Sequence, residues 1–381
     1  MDKAESKTAA KTGAGLEGVV AAESAIGDVD GINGVLIYQG LNIHDLAEHS
    51  NFEETVYLLW HGRLPKRDEL DALKQELSAN TRLPEEVVAL MRSFPAAAEP
   101  MDALRTAISA LAFYDPGARD LSREGALRTA TRLTAQLPVV VAAFERLRNG
   151  KELVESRADL NIAGNFLYML KGEEPEQSEA RIFDQCLILH ADHELNASTF
   201  TARVIAGTLA DMYGAVTGAI AALSGPLHGG ANTNVMKMLL EIGEPARADE
   251  WLREALASKR KIMGFGHRVY KTEDPRSVWL RRFSRELAEA KGETRWIEIL
   301  ERLRELMFAE KKLYPNVDYY SGSAYYLMGI PLDLFTPIFA VSRISGWTGH
   351  VLEQYANNRL IRPRAEYVGP RDVPYVPIDE R

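Results

Sequence analysis

Apolar residues recur along most of the chain three and four positions apart, the spacing of a helix that buries one face against a neighbour. From about residue 50 to residue 172 these stripes repeat with regular punctuation. Ser50 and Glu53 have the spacing of a capping box ahead of Val56, Leu59 and Trp60, and Gly62 and Pro65 close that helix. Leu70, Leu73 and Leu77 mark the next helix, and Pro84 suits the first helical position before Val88 and Met91. Met101, Leu104, Ile108 and Leu111 form an uninterrupted stripe that ends before Pro116. One stretch breaks the helical rhythm: Asp28 to Gly31 leads into a turn and Gly34 to Gly40 reads as a strand, which predicts a hairpin.

Further along, Leu187 to Gly225 keeps helical spacing but is crowded with small residues, including Ala206, Gly207, Ala210, Gly214, Ala215, Gly218, Ala219 and Ala222. Small side chains let backbones approach closely, so this region is either a tightly packed centre or a subunit interface. After Pro226 the texture changes to Gly-rich loops between charged helices, such as Glu298 to Lys312 with Leu300, Leu303 and Leu306 on its inner face. Apolar character returns from Phe335 to Trp347. The pattern predicts a mostly helical chain: a large domain from residues 15–226 and 332–381, and a small domain, 227–331, inserted into it. Residues 1–14 read as a disordered tail. From Tyr367, with Pro370, Pro374 and Pro377, the chain should run as an extended arm.

Composition narrows the class. Over 381 residues the hydrophobic share of 46% and charged share of 26% are those of an ordinary globular protein. A net charge of −9 argues against nucleic acid as the main partner. The longest apolar stretch, Ser198 to Leu223, carries Arg203 and Asp211 and fits a buried helix pair better than a membrane span. With a single cysteine, Cys186, no intrachain disulfide can form, and a reducing cytoplasm is the simplest location. No glycine-rich nucleotide-binding fingerprint is present.

Four of the eight histidines, His190, His193, His228 and His267, sit in short polar or glycine-rich contexts. In Ser224-Gly225-Pro226-Leu227-His228-Gly229-Gly230, glycine and proline flank an imidazole so that ring and backbone can approach a ligand closely. Around Gly264-Phe265-Gly266-His267 the design recurs with more positive charge: six basic residues against two acidic ones between Lys259 and Arg276, a local balance of +4. On an acidic protein that concentration points to phosphate or carboxylate binding. Asp318, in Tyr314-Pro315-Asn316-Val317-Asp318-Tyr319-Tyr320, reads equally as a turn cap or as a partly desolvated base. His190 and His193 lie three apart without the glutamate placement of a helical zinc site, so a metal is not expected.

Taken in order, LHADHELNASTF (Leu189 to Phe200), GPLHGGAN (Gly225 to Asn232), MGFGHRVYKTEDPR (Met263 to Arg276), YPNVDYYSG (Tyr314 to Gly322), FAVSRISGW (Phe339 to Trp347) and NRLIRPRAEYVG (Asn358 to Gly369) resemble the citrate synthase family over nearly the whole chain. The length and the missing N-terminal extension look like its compact bacterial and archaeal dimeric type. The resemblance implies an all-α fold: a large helical domain with a smaller inserted helical domain, a short N-terminal β-hairpin and an extended C-terminal arm. It implies a cytoplasmic enzyme that condenses oxaloacetate with acetyl-CoA and hydrolyses citryl-CoA to citrate and CoA, with no metal or redox cofactor. By motif, Asp318 is the base, His228 holds the enol oxygen and His267 polarises and protonates the ketone. Arg276, Arg343 and Arg362 clamp the oxaloacetate carboxylates with His193 beside them, Arg362 reaching in from a second subunit of a homodimer. Lys261, Arg268 and Lys271, and more weakly Arg364, face the CoA phosphates. A 2-methylcitrate synthase using propionyl-CoA shares these motifs, since one methylene is worth only about 1–3 kcal/mol in a pocket. Two further readings compete with an enzyme of this type: an inactive helical scaffold that retains the fold, and a metal-dependent hydrolase.

Overall fold

A computed structural model describes residues 14–16 and 18–381. Residues 1–13 of the predicted tail lie outside the described residues, and Ala14 opens a short 3-10 turn. The first regular elements are β1 (Gly27–Asp30), β2 (Val35–Tyr38) and β3 (Leu41–Asn42), joined in that order as an antiparallel sheet. The predicted hairpin is β1–β2, with Gly27 opposite Tyr38 and Asp30 opposite Val35. The third strand, only two residues long, is too short for its alternation to show in the sequence.

Everything else regular among the described residues is helical. The helices are α1 (Ile43–His49), α2 (Phe52–His61), α3 (Arg67–Ala79), α4 (Glu85–Arg92), α5 (Pro100–Leu111), α6 (Arg123–Arg148), α7 (Ile162–Lys171), α8 (Gln177–His190), α9 (Ala197–Ala206) and α10 (Met212–Leu223). They continue with α11 (Ala231–Ile242), α12 (Ala248–Ala257), α13 (Pro275–Lys291), α14 (Arg295–Lys311), α15 (Val317–Leu327) and α16 (Phe335–Ala356). Helix α16 is the axle: it packs on α6, α9, α2, α8 and α10, and Trp347, Ile344 and Val351 are fully buried along it. Helices α11 to α15 pack mainly on one another, meeting the rest of the chain through α1, α8 and α16.

Local chemistry accounts for the boundaries. The capping box belongs to Asn51 and Glu54, one residue later than predicted; Ser50 instead closes α1, its amide bonded to the Leu46 carbonyl at 3.0 Å. Glu53 turns inward to accept from the Ile162 amide at 2.8 Å, and that burial decides between two otherwise equivalent spacings. Pro84 is the cap before α4 rather than its first turn. The α5 stripe is buried at all four positions, whereas on α14 Leu306 is only half-buried beside Leu300 and Leu303. The small residues of α9 and α10 form a tight helix pair: a Cβ on Gly218 would lie 2.2 Å from the Ile205 side chain. From Asn357 the chain carries no α-helix and is largely exposed, ending with one 3-10 turn at Ile378–Glu380. No helix among the described residues is long and apolar enough to cross a membrane.

Candidate functional site

Two segments distant in sequence are stitched into one frame. The loop before α13 bonds to the turn before α15: the Gly266 amide donates to the Tyr314 carbonyl at 3.1 Å, and the Asn316 amide donates to Gly264 at 2.9 Å. The Asn316 side chain then caps α15 at Asp318 (3.0 Å) and donates to the Gly266 carbonyl at 2.9 Å. Gly264 adopts φ 80°, and a Cβ there would stand 2.6 Å from the Tyr319 ring, so glycine is the residue this close approach admits. The frame holds His267 and Asp318 on adjoining loops.

The imidazoles are oriented by their bonds. The amides of Val269 and Tyr270 donate to His267 Nδ1 at 3.0 and 3.1 Å, which leaves the proton on Nε2. Burial, reinforced by the Arg276 charge, holds its pKa down to about 4, so the ring is neutral and Nε2–H is a free donor. His228 is the mirror case. Its Nε2 accepts from the Ser198 amide at 3.3 Å and lies 2.8 Å from Ser198 Oγ, so the proton sits on Nδ1. Burial and the Arg343 charge hold it near 4 as well. His193 packs edge-on against His267, ring centroids 5.3 Å apart, with Nε2 3.2 Å from the Tyr270 hydroxyl; burial keeps it well below the usual imidazole range.

Two arginines are buried here in different ways. Arg276 is 2% exposed and gripped by Asp274, Nε to Oδ1 at 2.9 Å and Nη2 to Oδ2 at 2.7 Å. Its far edge, Nη1, is not used by that pair. Arg343 is 1% exposed on α16; its Nε donates to the His190 carbonyl at 2.7 Å and its guanidinium stands 4.6 Å from the Phe339 ring centre. Among the described residues no carboxylate pairs with it, and burial pulls its pKa down to about 10. An unpaired buried guanidinium is a demand for an anion. Both charges reach Asp318, whose carboxyl burial nonetheless pushes up to about 6, Asp274 adding to the rise.

The structure thus gathers His193, His228, His267, Arg276, Arg343 and Asp318 around one centre that holds two buried guanidinium groups. The other predicted residues lie outside it. Arg362 and Arg364 are exposed; Arg362 lines a groove of about 850 Å³ with Val19, Val20, Arg203, Glu353 and Leu360. Lys261, Arg268 and Lys271 are exposed along the loop that leads into and out of His267, Lys271 Nζ resting on the Arg268 carbonyl at 3.3 Å. Ser198, Asp274, Tyr270 and Asn316 belong to the site although sequence reasoning missed them; the signals were that each lies inside one of the six motifs and that Asp274 lies two residues from Arg276. His190 is fully buried, with Nδ1 2.7 Å from the Cys186 carbonyl, an internal contact rather than a ligand position. No His, Cys, Asp and Glu cluster of metal-binding form occurs among the described residues.

Known proteins share this architecture. The family described as citrate synthase, C-terminal domain, matches residues 15–364. Citrate synthase 2 of Bacillus subtilis is 54% identical, the match covering 96% of this chain and 98% of that protein. 2-Methylcitrate synthase 1 of Corynebacterium glutamicum is 42% identical over 96% of this chain and 98% of its own length. Among solved structures, the ternary complex of citrate synthase from Thermoplasma acidophilum with carboxymethyl coenzyme A and oxaloacetate superimposes with a TM-score of 0.91 at 34% identity, covering 97% of this chain and 99% of that one.

Proposed function

This chain belongs to the citrate synthase family: it is an acyltransferase that condenses acetyl-CoA with oxaloacetate to give citrate and CoA, and we propose that Asp318, His228 and His267 carry the chemistry. The observation that carries this reading is the pair of neutral imidazoles, each with its accepting nitrogen occupied by a backbone amide and its N–H left free, beside a carboxyl poised near 6. At neutral pH Asp318 is ionised and takes a proton from the acetyl methyl group. The developing enol oxygen is held by His228 Nδ1–H, a fixed donor where charge appears. The enol carbon then attacks the oxaloacetate ketone, and His267 Nε2–H polarises the ketone oxygen and protonates it as the carbon–carbon bond forms. Water cleaves the citryl thioester, leaving a carboxylate and the CoA thiol. This scheme calls for no metal or redox cofactor.

Arg343 and the free edge of Arg276 take the oxaloacetate carboxylates, with His193 beside them. Arg362 lines an exposed groove to which none of the other site residues contributes, which favours its use by a second copy of the chain, so we assign a homodimer. Lys261, Arg268 and Lys271 are the contacts assigned to the CoA phosphates, and the cytoplasm is the compartment assigned. We also assign residues 227–331 to a small inserted domain that closes on the unit formed by 15–226 and 332–381, a reading supported by the mutual packing of α11 to α15. Propionyl-CoA is the second reading, because a relative at 42% identity is a 2-methylcitrate synthase. The test is release of free thiol from each acyl-CoA with oxaloacetate. Rapid release from acetyl-CoA, lost in Asp318→Asn, is expected; a preference for propionyl-CoA would favour the second reading, and no release from either would overturn both.

A further inference from the structure

The segment from Ala191 to Ser198 bears two groups of the site at once: His193 directly, and Ser198, which fixes the tautomer of His228. It has no regular structure before α9, and Glu194 within it sits at φ 52°, a left-handed conformation that a non-glycine side chain disfavours. Something must hold such a segment in place. The restraint is on Asp192, which is fully buried. Its Oδ2 accepts from the Glu194 amide at 3.1 Å, its backbone is clasped by the Tyr38 hydroxyl, 2.8 Å from the Asp192 carbonyl, and its Oδ1 lies 3.2 Å from His350 Nε2.

His350, on α16, is fully buried as well, and its other nitrogen is committed. Arg203 Nη1 on α9 donates to Nδ1 at 3.4 Å, so the proton is on Nε2 and points at Asp192. Arg203 is in turn fixed by Gln354 at 3.0 Å and by an ion pair with Glu353, whose other oxygen accepts from the Ala25 amide at 2.8 Å. One turn earlier on α16, a Cβ on Gly346 would stand 2.4 Å from the Ala191 carbonyl and 2.7 Å from Asp192 Oδ1, so the segment is pressed directly on the helix backbone. Three residues before that, Arg343 donates to the His190 carbonyl. A single face of α16 therefore holds this segment at successive turns.

We propose that His350 and Asp192 are positioning residues: the Arg203–His350–Asp192 chain of hydrogen bonds holds the 191–198 segment so that His193 and, through Ser198, His228 meet their substrates. His350 touches no reacting atom in this reading. The inference rests on the assignment of His193 as an oxaloacetate contact, and its test separates the two.

The variants are His350→Leu, which fills the space without a donor, and His350→Gln, whose amide can still donate to Asp192. Two readouts are needed on protein that circular dichroism shows folded at 25 °C: the imidazole 15N resonances of His193 and His228 in the ligand-free enzyme, and KM for oxaloacetate. In His350→Leu both resonances should move and KM should rise tenfold or more; in His350→Gln both should stay close to wild type, with KM within about twofold. If His350→Leu does not fold, Asp192→Asn, which keeps the side-chain shape but removes one of the two acceptor oxygens, carries the same expectation with a rise of fivefold or more. Unmoved resonances in a folded Leu or Asn variant overturn the proposal, and so does a His350→Gln protein as impaired as His350→Leu. Resonances that move and are restored by Gln while KM stays constant support the positioning role and refute His193 as an oxaloacetate contact.

Discussion

Replacing Arg343 by methionine separates a residue kept for a ligand from one kept for the fold. Two local terms oppose one another in the ligand-free protein. Arg343 is 1% exposed with no carboxylate partner among the described residues, and exchanging buried charge for apolar volume is often neutral or stabilising by about 1–4 kcal/mol. Against that, the His190 carbonyl loses its donor at 2.7 Å, a cost of about 1–3 kcal/mol. The ligand-free stability should therefore stay within about 3 kcal/mol of wild type. Binding has no such compensation. A bidentate carboxylate clamp loses two charge-assisted hydrogen bonds, about 1.5–3 kcal/mol each, which weakens oxaloacetate about a hundredfold to ten-thousandfold. The assay is urea unfolding with and without oxaloacetate. At a concentration of about 100 Kd the wild type gains about 2.7 kcal/mol from the ligand, and the variant at the same concentration should gain about 0.4 kcal/mol or less. A ligand-free variant destabilised by several kcal/mol that still shows the full gain would refute the reasoning, because Arg343 would then be part of the fold's own charge balance.

Three further outcomes follow from the same geometry. With Asp318 raised to about 6 and both imidazoles held near 4, kcat/KM should be flat above pH 7 and fall about tenfold per unit below 6 as the base is protonated; a profile that stays flat through pH 6 and falls only near 4 would contradict the assignment. Asp274→Asn removes the anionic partner of a guanidinium that is 2% exposed, and should cost about 3–5 kcal/mol in denaturant unfolding; a loss below about 1 kcal/mol would show that the pair is dispensable. If Arg362 serves the neighbouring site, then Arg362→Ala and Asp318→Asn proteins, each inactive alone, should regain activity when their subunits are exchanged, since one site of each mixed dimer is then complete; exchange proven by mass without any recovery would rule out a shared site.

How much of this was legible in the sequence depends on the range of the interaction. Helical periodicity is a property of the local backbone, so the α5 stripe, the hairpin, the left-handed Gly62 stop and the proline-rich arm could be read directly, with errors of one residue where two caps had equal spacing, as at Ser50 and Asn51. The residue types of the site were legible in the same way, because glycine beside histidine, clustered arginine and a lone Asp among tyrosines are local signals. Asp274 lies two residues from Arg276 and was readable in principle as its partner.

What no window of sequence contained is the state of those groups. His228 carries its proton on Nδ1 because Ser198, 30 residues away, donates to the other nitrogen, and it is neutral because burial and the Arg343 charge disfavour the imidazolium. His193 meets Tyr270 across 77 residues, Arg343 meets the His190 carbonyl across 153, and His350 meets Asp192 across 158. Tautomer, protonation and the demand for an anion all follow from burial and from donors brought in by helix packing. The sequence by itself determined which helices form and which chemistry the chain carries; only the tertiary structure decided which protons are free to be used, because that depends on neighbours the chain does not place side by side until it folds.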